Sequence, residues 1–214
     1  MIGIRNKGKV GHTNSTNLRQ QQIVKAAAAL FVKKGYLKTT VREIARDSGI
    51  TVGTLYHYIS SKDDILSFIQ EDTSDFVSNL IQETEEALSQ SGPVEALRLA
   101  MRKYFSAVDG AQDTVLFWYH DTGNLQPASQ AKLLENDELL GEVFRKILDV
   151  GCQSGVFKQH DTTLMAHDII VLGDMWAFRR WFLRKHYTFA QYAAEQADLI
   201  LSAISNNRFS SEKT

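Results

Sequence analysis

The chain has 214 residues, 43% hydrophobic and 23% charged, which allows one or two domains and a sizeable core. Its single cysteine, Cys152, excludes an intramolecular disulfide and reads as a small buried residue in a reducing compartment; no leader-like apolar stretch opens the chain, and no run approaches the ~18 apolar residues of a membrane helix, so a cytoplasmic protein with no membrane partner is expected. The formal net charge of −1 conceals a split: residues 1–62 carry 11 Lys+Arg against 2 Asp+Glu, a formal +9, and residues 63–214 carry 13 against 23, a formal −10. A basic module on an acidic remainder suits one end that faces nucleic acid and a remainder with another task.

Residues 1–17 are polar and basic, with Arg5, Lys7 and Lys9, and read as a flexible arm able to touch DNA. A first helix is expected from about Leu18 to Lys34, with Ile23, Ala27, Leu30 and Phe31 on one face and Gly35 as its stop. Residues 39–62, TTVREIARDSGITVGTLYHYISSK, then hold two short helical patterns. In the first, Val41, Ile44 and Ala45 share a face, Thr39 or Thr40 supplies the cap, and Gly49 the end. In the second, Val52–Tyr58, Thr51 is the cap, Val52, Leu55 and Ile59 point inward, and Gly53, Thr54, Tyr56, His57 and Tyr58 are left outside. Two helices on a short glycine-containing turn make a helix-turn-helix, its second helix offered to a major groove.

At Ser61-Lys-Asp-Asp64 a capping-box pattern opens a long helix marked by Ile65, Phe68, Ile69, Phe76, Leu80 and Ile81, unbroken until Gly92-Pro93. A helix with Leu97, Met101, Tyr104 and Phe105 follows, then a short apolar piece, Val115 to Tyr119, ended by Gly123-Asn124. Pro127 starts a long helix, bent near Asn136, that ends around Gly151 and Gly155. Asp161 or Thr162 caps a helix reaching Phe182, and Thr188 with Gln191 caps the last, Phe189 to about Ser205. No strand-like alternation occurs. The chain reads as all-α: an arm over 1–17, a three-helix helix-turn-helix domain over 18–62, and, joined by the long helix, a helical ligand-binding and dimerisation domain over 63–207.

The run Thr51-Val-Gly-Thr-Leu-Tyr-His-Tyr58, then Ser61-Lys-Asp-Asp-Ile-Leu66, resembles the DNA-binding domain of the TetR family of transcriptional regulators. Ala28 to Phe31, Gly35-Tyr36, Thr39 to Val41, Ile44-Ala45 and Ser48 to Ile50 fit the same pattern in order and spacing. The likeness covers about residues 19–68. Ile59 stands where the family often has phenylalanine, an apolar variant of the core. The resemblance implies a repressor that binds a palindromic double-stranded operator as a homodimer through its two C-terminal helices. Thr40, Arg42, Tyr56, His57, Tyr58 and Lys62 are expected mostly at phosphates, and Thr51, Val52, Gly53 and Thr54 at base edges.

Such proteins usually hold a small-molecule effector in the second domain. Met101, Tyr104, Phe105, Trp118, Tyr119, Phe144 and Trp176 are candidate lining residues, each also able to serve as plain core. The segment Gly173 to Lys185 places Arg179, Arg180 and Arg184 among aromatics, where a guanidinium can bind phosphate or stack on a ring. It is similar to the C-terminal part of the acyl-CoA-responsive, FadR-like branch, which implies an acyl-CoA effector and control of lipid degradation. The alternatives are a xenobiotic- or aromatic-sensing repressor and, from a different class, a helical acyl-CoA-binding enzyme. No GxSxG, P-loop, GxGxxG, HExxH or paired-cysteine motif occurs, and the pairs His120-Asp121, His160-Asp161 and His167-Asp168 are not ready-made chelates. No catalytic, metal or cofactor site is expected.

Overall fold

The structure, a computed structural model, describes residues 10–206. Among these the elements are all helical: α1 (Val10–Lys34), α2 (Val41–Asp47), α3 (Val52–Tyr56), α4 (Asp63–Gly110), α5 (Gln112–Asp121), α6 (Pro127–Gln153), α7 (Thr162–Phe178), α8 (Arg180–His186) and α9 (Phe189–Ile204), with a single 3₁₀ turn, Thr122–Asn124, after α5. Arg5, Lys7 and Lys9 lie outside the described residues. The remainder of the expected arm belongs to α1, which begins eight residues before Leu18; once the buried stripe from Ile23 has nucleated a helix, propagation through polar residues needs no new nucleus.

Two apolar clusters organise the molecule. The first joins Ile23, Ala27, Leu30, Phe31 and Tyr36 of the α1 region to Ile44, Ala45, Leu55 and Ile59. It also takes in Ile65, Leu66 and Ile69 from α4, and Phe117 and Leu125 from α5 and the turn after it, so the core of the head does not stop at residue 62. The second fills the space between α4, α6, α7 and α9, with Phe105, Phe144, Ile147, Leu148, Ile169, Trp176 and Ile200 among its members.

Long helices break where the backbone demands it. Gly92 has φ +81 and ψ 179, a conformation that glycine tolerates, and Pro93 starts the second half of α4. α6 runs unbroken through Asn136, which is buried and accepts from Ser74 Oγ at 3.1 Å instead of bending the helix. The helix expected to reach Phe182 stops at Phe178. Arg179, at φ −107 and ψ 22, separates α7 from α8. Neither glycine nor proline marks this break; it turns α8 so that its arginines meet carboxylates at the α4–α5 junction.

Candidate functional site

The helix-turn-helix head is built by capping. The Thr40 hydroxyl accepts from the Glu43 amide at 3.3 Å, and the Glu43 carboxylate accepts from the Thr40 amide at 2.9 Å and its hydroxyl at 2.8 Å. Glu43 also takes the Lys34 ammonium at 2.5 Å. Lys34 first, then Thr40, holds its carboxyl down to about 2. Gly49, at φ +70, turns the chain, and Thr51 caps α3 by accepting from the Thr54 amide at 3.0 Å. α3 ends at Tyr56, two residues short of its expected end, and His57 and Tyr58 form the turn that follows.

Leu55 is wholly buried beneath α3 and Ile59 nearly so, which fixes its facing. Thr51, Gly53, Tyr56 and His57 are exposed, as are Thr40 and Arg42 on α2. Val52 and Tyr58 are half-buried against the head core, and the Thr54 hydroxyl lies 2.8 Å from that of Thr51. A Cβ at Gly53 would meet nothing nearer than Thr51 Oγ1 at 3.9 Å, and its φ is not positive. Nothing inside the fold requires glycine there, although an internal helical glycine costs about 1 kcal/mol relative to alanine.

Lys62 has another use than the sequence suggested. Its ammonium donates to the Tyr36 carbonyl at 2.5 Å and the Thr39 carbonyl at 3.2 Å, and lies 4.0 Å from the Tyr36 ring centroid. Burial pushes its pKa down. The Tyr36 hydroxyl donates to Asp63. Two adjacent residues at the start of α4 thus clasp the turn after α1. The carbonyl partners lie 23 and 26 residues upstream, which no local pattern reveals. Replacing Lys62 with methionine is expected to destabilise the head by about 1–2 kcal/mol, less than two fully buried charge-assisted hydrogen bonds because the ammonium is only part-buried and water can reach the freed carbonyls. The slope of log binding constant against log salt should stay unchanged; a slope shallower by about one unit would return Lys62 to a phosphate.

In the second domain Met101, Phe105, Phe144 and Trp176 are core, and Tyr104 lies at the margin of burial. Trp176 stacks on Tyr192 with centroids 5.2 Å apart, and its Nε1 donates to Asp109 Oδ1 at 2.6 Å. Trp118 stands apart from this group: it packs on the head cluster, 5.0 Å from Phe117. Tyr119 is exposed, yet its hydroxyl donates to Asp174 Oδ2 at 2.9 Å, while Tyr104 donates to Asp174 Oδ1 at 2.6 Å. Asp174, 4% exposed, sits in the arginine-rich segment with no sequence signal of its own; its burial follows from the wide apolar faces of α7, not from spacing. Of the three arginines, Arg180 donates to Asp113 at 2.8 Å, Arg184 lies 3.9 Å from Asp109, and Arg179 is exposed over the rings of Trp181 and Phe182 at 5.2 and 5.7 Å. A groove of about 420 Å³ between α4 and α6 is lined by Ile81, Leu88, Leu139, Val150 and the Glu85–Lys146 pair, and by none of the expected effector residues. No group of three potential metal-ligating side chains occurs among the described residues, and no described helix is long and apolar enough to cross a membrane.

Comparison with known proteins matches the two parts of the chain separately. The family described as bacterial regulatory proteins, tetR family, matches residues 23–67, and the tetracyclin repressor-like C-terminal domain matches residues 90–204. The HTH-type transcriptional regulator HbdR of Aromatoleum sp. (strain CIB) is 27% identical over 177 residues, 83% of this chain and 76% of that protein. The TetR family transcriptional regulator PfmR from Thermus thermophilus superposes with a TM-score of 0.68 at 28% identity, covering 84% of this chain and 97% of that one. The transcriptional regulator FadR from Bacillus subtilis, solved in complex with stearoyl-CoA, gives a TM-score of 0.64 at 25% identity over 86% and 98% of the two chains. With both halves matched and the helix-turn-helix in place, the chain belongs to the TetR family of bacterial transcriptional regulators.

Proposed function

We propose that this protein is a dimeric repressor that holds a palindromic operator and releases it when an acyl-CoA occupies the second domain. The observation that carries the DNA-reading half is Gly53. A glycine that the fold does not need, on an exposed helix face beside Thr51, Tyr56 and His57, serves an approach from outside. Arg42 and Thr40 flank this face and suit phosphates, and Tyr56 can meet phosphate or base. The head's surplus of cations adds the salt-dependent attraction. Leu164 on α7 and Leu199 on α9, 57% and 60% exposed, support pairing of the C-terminal helices with a second copy. Two heads on a two-fold axis then reach half-sites about 34–36 Å apart, or a multiple of that.

Replacing Gly53 with alanine is expected to act in opposite directions on the two properties. Thermal unfolding should show a head more stable by about 0.5–1 kcal/mol, because alanine is the better helix former. Operator affinity should fall about tenfold, because the added methyl occupies the surface against which the duplex lies. An affinity unchanged by the substitution would remove α3 from the major groove.

For the effector, the exposed Arg179 and the basic run Arg184-Lys185-His186 on an otherwise acidic domain suit the phosphates of coenzyme A, with the aromatic-rich core behind them for an acyl group. The stearoyl-CoA complex of the Bacillus subtilis relative supports the same class. Binding releases DNA only to the extent that the ligand prefers the conformation that does not fit the operator. The test is a titration of acyl-CoAs, free acids and flat aromatics into the protein bound to its own upstream DNA. Release by acyl-CoAs alone supports the reading. Release by an aromatic or drug-like compound alone moves the protein to xenobiotic sensing.

A further inference from the structure

Among the described residues Asp174 is the most deeply buried carboxylate, and no cation pairs with it. Its two oxygens accept one hydroxyl each, from Tyr104 on α4 and Tyr119 on α5. A carboxylate accepts about four hydrogen bonds, so half of its capacity is unused by side chains. The other ionisable groups that act on it are Asp137 of α6 and His167 of α7. Burial pushes the Asp174 carboxyl above its ordinary range, so ionising it weakens the fold, and stability declines as pH rises through its raised value. As an internal brace it is a poor choice, since an apolar or neutral side chain would join the same helices without desolvating a charge.

The surroundings give the carboxylate one closed side and one open side. On the closed side the Tyr104 ring lies against the α7 backbone at Gly173 and 6.1 Å from the Phe144 ring centroid. On the open side stands Tyr119, 57% exposed, with its ring edge-on to Phe178 at 4.7 Å. A surface side chain therefore reaches inward to the most buried carboxyl among the described residues. Tyr119 is thus the one of the two hydroxyl donors to Asp174 that a ligand arriving from solvent meets first.

We infer that Asp174, with Tyr104 and Tyr119, forms the polar end of the effector site, and that the acyl group bound there carries a hydroxyl that donates a hydrogen bond to Asp174. This deepens the acyl-CoA reading above and rests on it for the thioester half of the ligand. Tyr119 yields its hydrogen bond to the incoming hydroxyl, and Tyr104 keeps its own. An unsubstituted chain leaves a buried carboxylate facing methylene groups, which disfavours it. A site built to bond a substrate hydroxyl discriminates strongly against the analogue that lacks it.

Matched acyl-CoA pairs, straight-chain and aryl, with and without a terminal hydroxyl, test this by calorimetry on the full-length protein and by release of bound operator. The matched free alcohols and phenols form a third arm. The wild type should bind the hydroxylated member of a pair at least tenfold more tightly. Asp174→Asn, which keeps the shape and removes one acceptor oxygen, should lose the preference; Tyr119→Phe, which removes the hydroxyl that the ligand displaces, should strengthen it. Equal binding of both members by the wild type overturns the inference while the acyl-CoA reading stands. A preference that survives Asp174→Asn also overturns it. Binding of free hydroxylated compounds that depends on Asp174, without any acyl-CoA binding, sinks the acyl-CoA reading and leaves the Asp174 assignment in place. Absence of binding in every arm overturns both. Should Asp174→Asn fail to fold, the wild-type pairs together with Tyr119→Phe decide the matter.

Discussion

Replacing Phe117 with alanine should destabilise the protein by about 3–5 kcal/mol, the range for deleting a buried aromatic ring without collapse of the space it leaves. Phe117 is wholly buried, 4.8 Å from the Phe31 ring centroid, 6.1 Å from Tyr36 and 5.0 Å from Trp118. It comes from α5, while the pocket it fills is made by the head and the start of α4. The loss therefore falls on the joint between the helix-turn-helix head and the second domain. Two residues on, about 200° around the same helix, Tyr119 reaches Asp174 of α7. One short helix is thus seated in the head on one face and tied to the second domain on the other. In denaturant the variant should lose its single transition, with the head unfolding first, and bind operator more weakly even before it unfolds. Tyr119→Phe, which leaves the head contacts intact and removes only the bond to Asp174, separates the contribution of the other face of α5. A Phe117→Ala protein that still unfolds in one transition at the wild-type midpoint would mean that α5 does not join the two parts.

Much of this architecture could be read from residue order. The head was legible because its signals are local: Thr40 with Glu43, Gly49, and Thr51 with Thr54 all act within a few residues of one another. Gly92-Pro93 marked the break in α4 for the same reason. What escaped was set by distant partners. The Arg179 break has no glycine or proline to announce it and is accompanied by pairing of Arg180 with Asp113 across 67 residues. Trp118 looked like a pocket residue because it is aromatic and adjacent to Tyr119, but adjacent helical positions diverge by about 100°, and α5 turns it toward the head. Lys62 looked free because its carbonyl partners belong to the turn after α1. The stripe Tyr192, Ala197, Ile200, Leu201 and Ile204 on α9 is buried within the chain's own core, which leaves Leu199 on the exposed side of α9.

Gly173→Val is the second substitution expected to be severe, at about 3 kcal/mol or more, because inserted atoms in a packed core usually cost about 1–3 kcal/mol and here they enter between two helices that both carry the Asp174 contacts. A Cβ at this position would stand 2.7 Å from Tyr104 Cε1 and from Phe105 Cδ1, and 2.8 Å from Phe105 Cε1. Both rings are held from other sides: Phe105 is fully buried, and Tyr104 is anchored through its hydroxyl to Asp174. Neither can retreat, so α7 must lift from α4. The backbone of Gly173 itself is ordinary helix, so its absent side chain, not its flexibility, is what the fold uses. Operator binding by the folded fraction should be retained, since the head core lies elsewhere, while the Tyr104–Asp174 bond is lengthened and any effector response that runs through it is lost. Unfolding in denaturant gives the first quantity, and release of bound operator gives the second. A variant as stable as wild type would show that α4 and α7 are not in close contact in solution, and the geometry around Asp174 would fall with that contact.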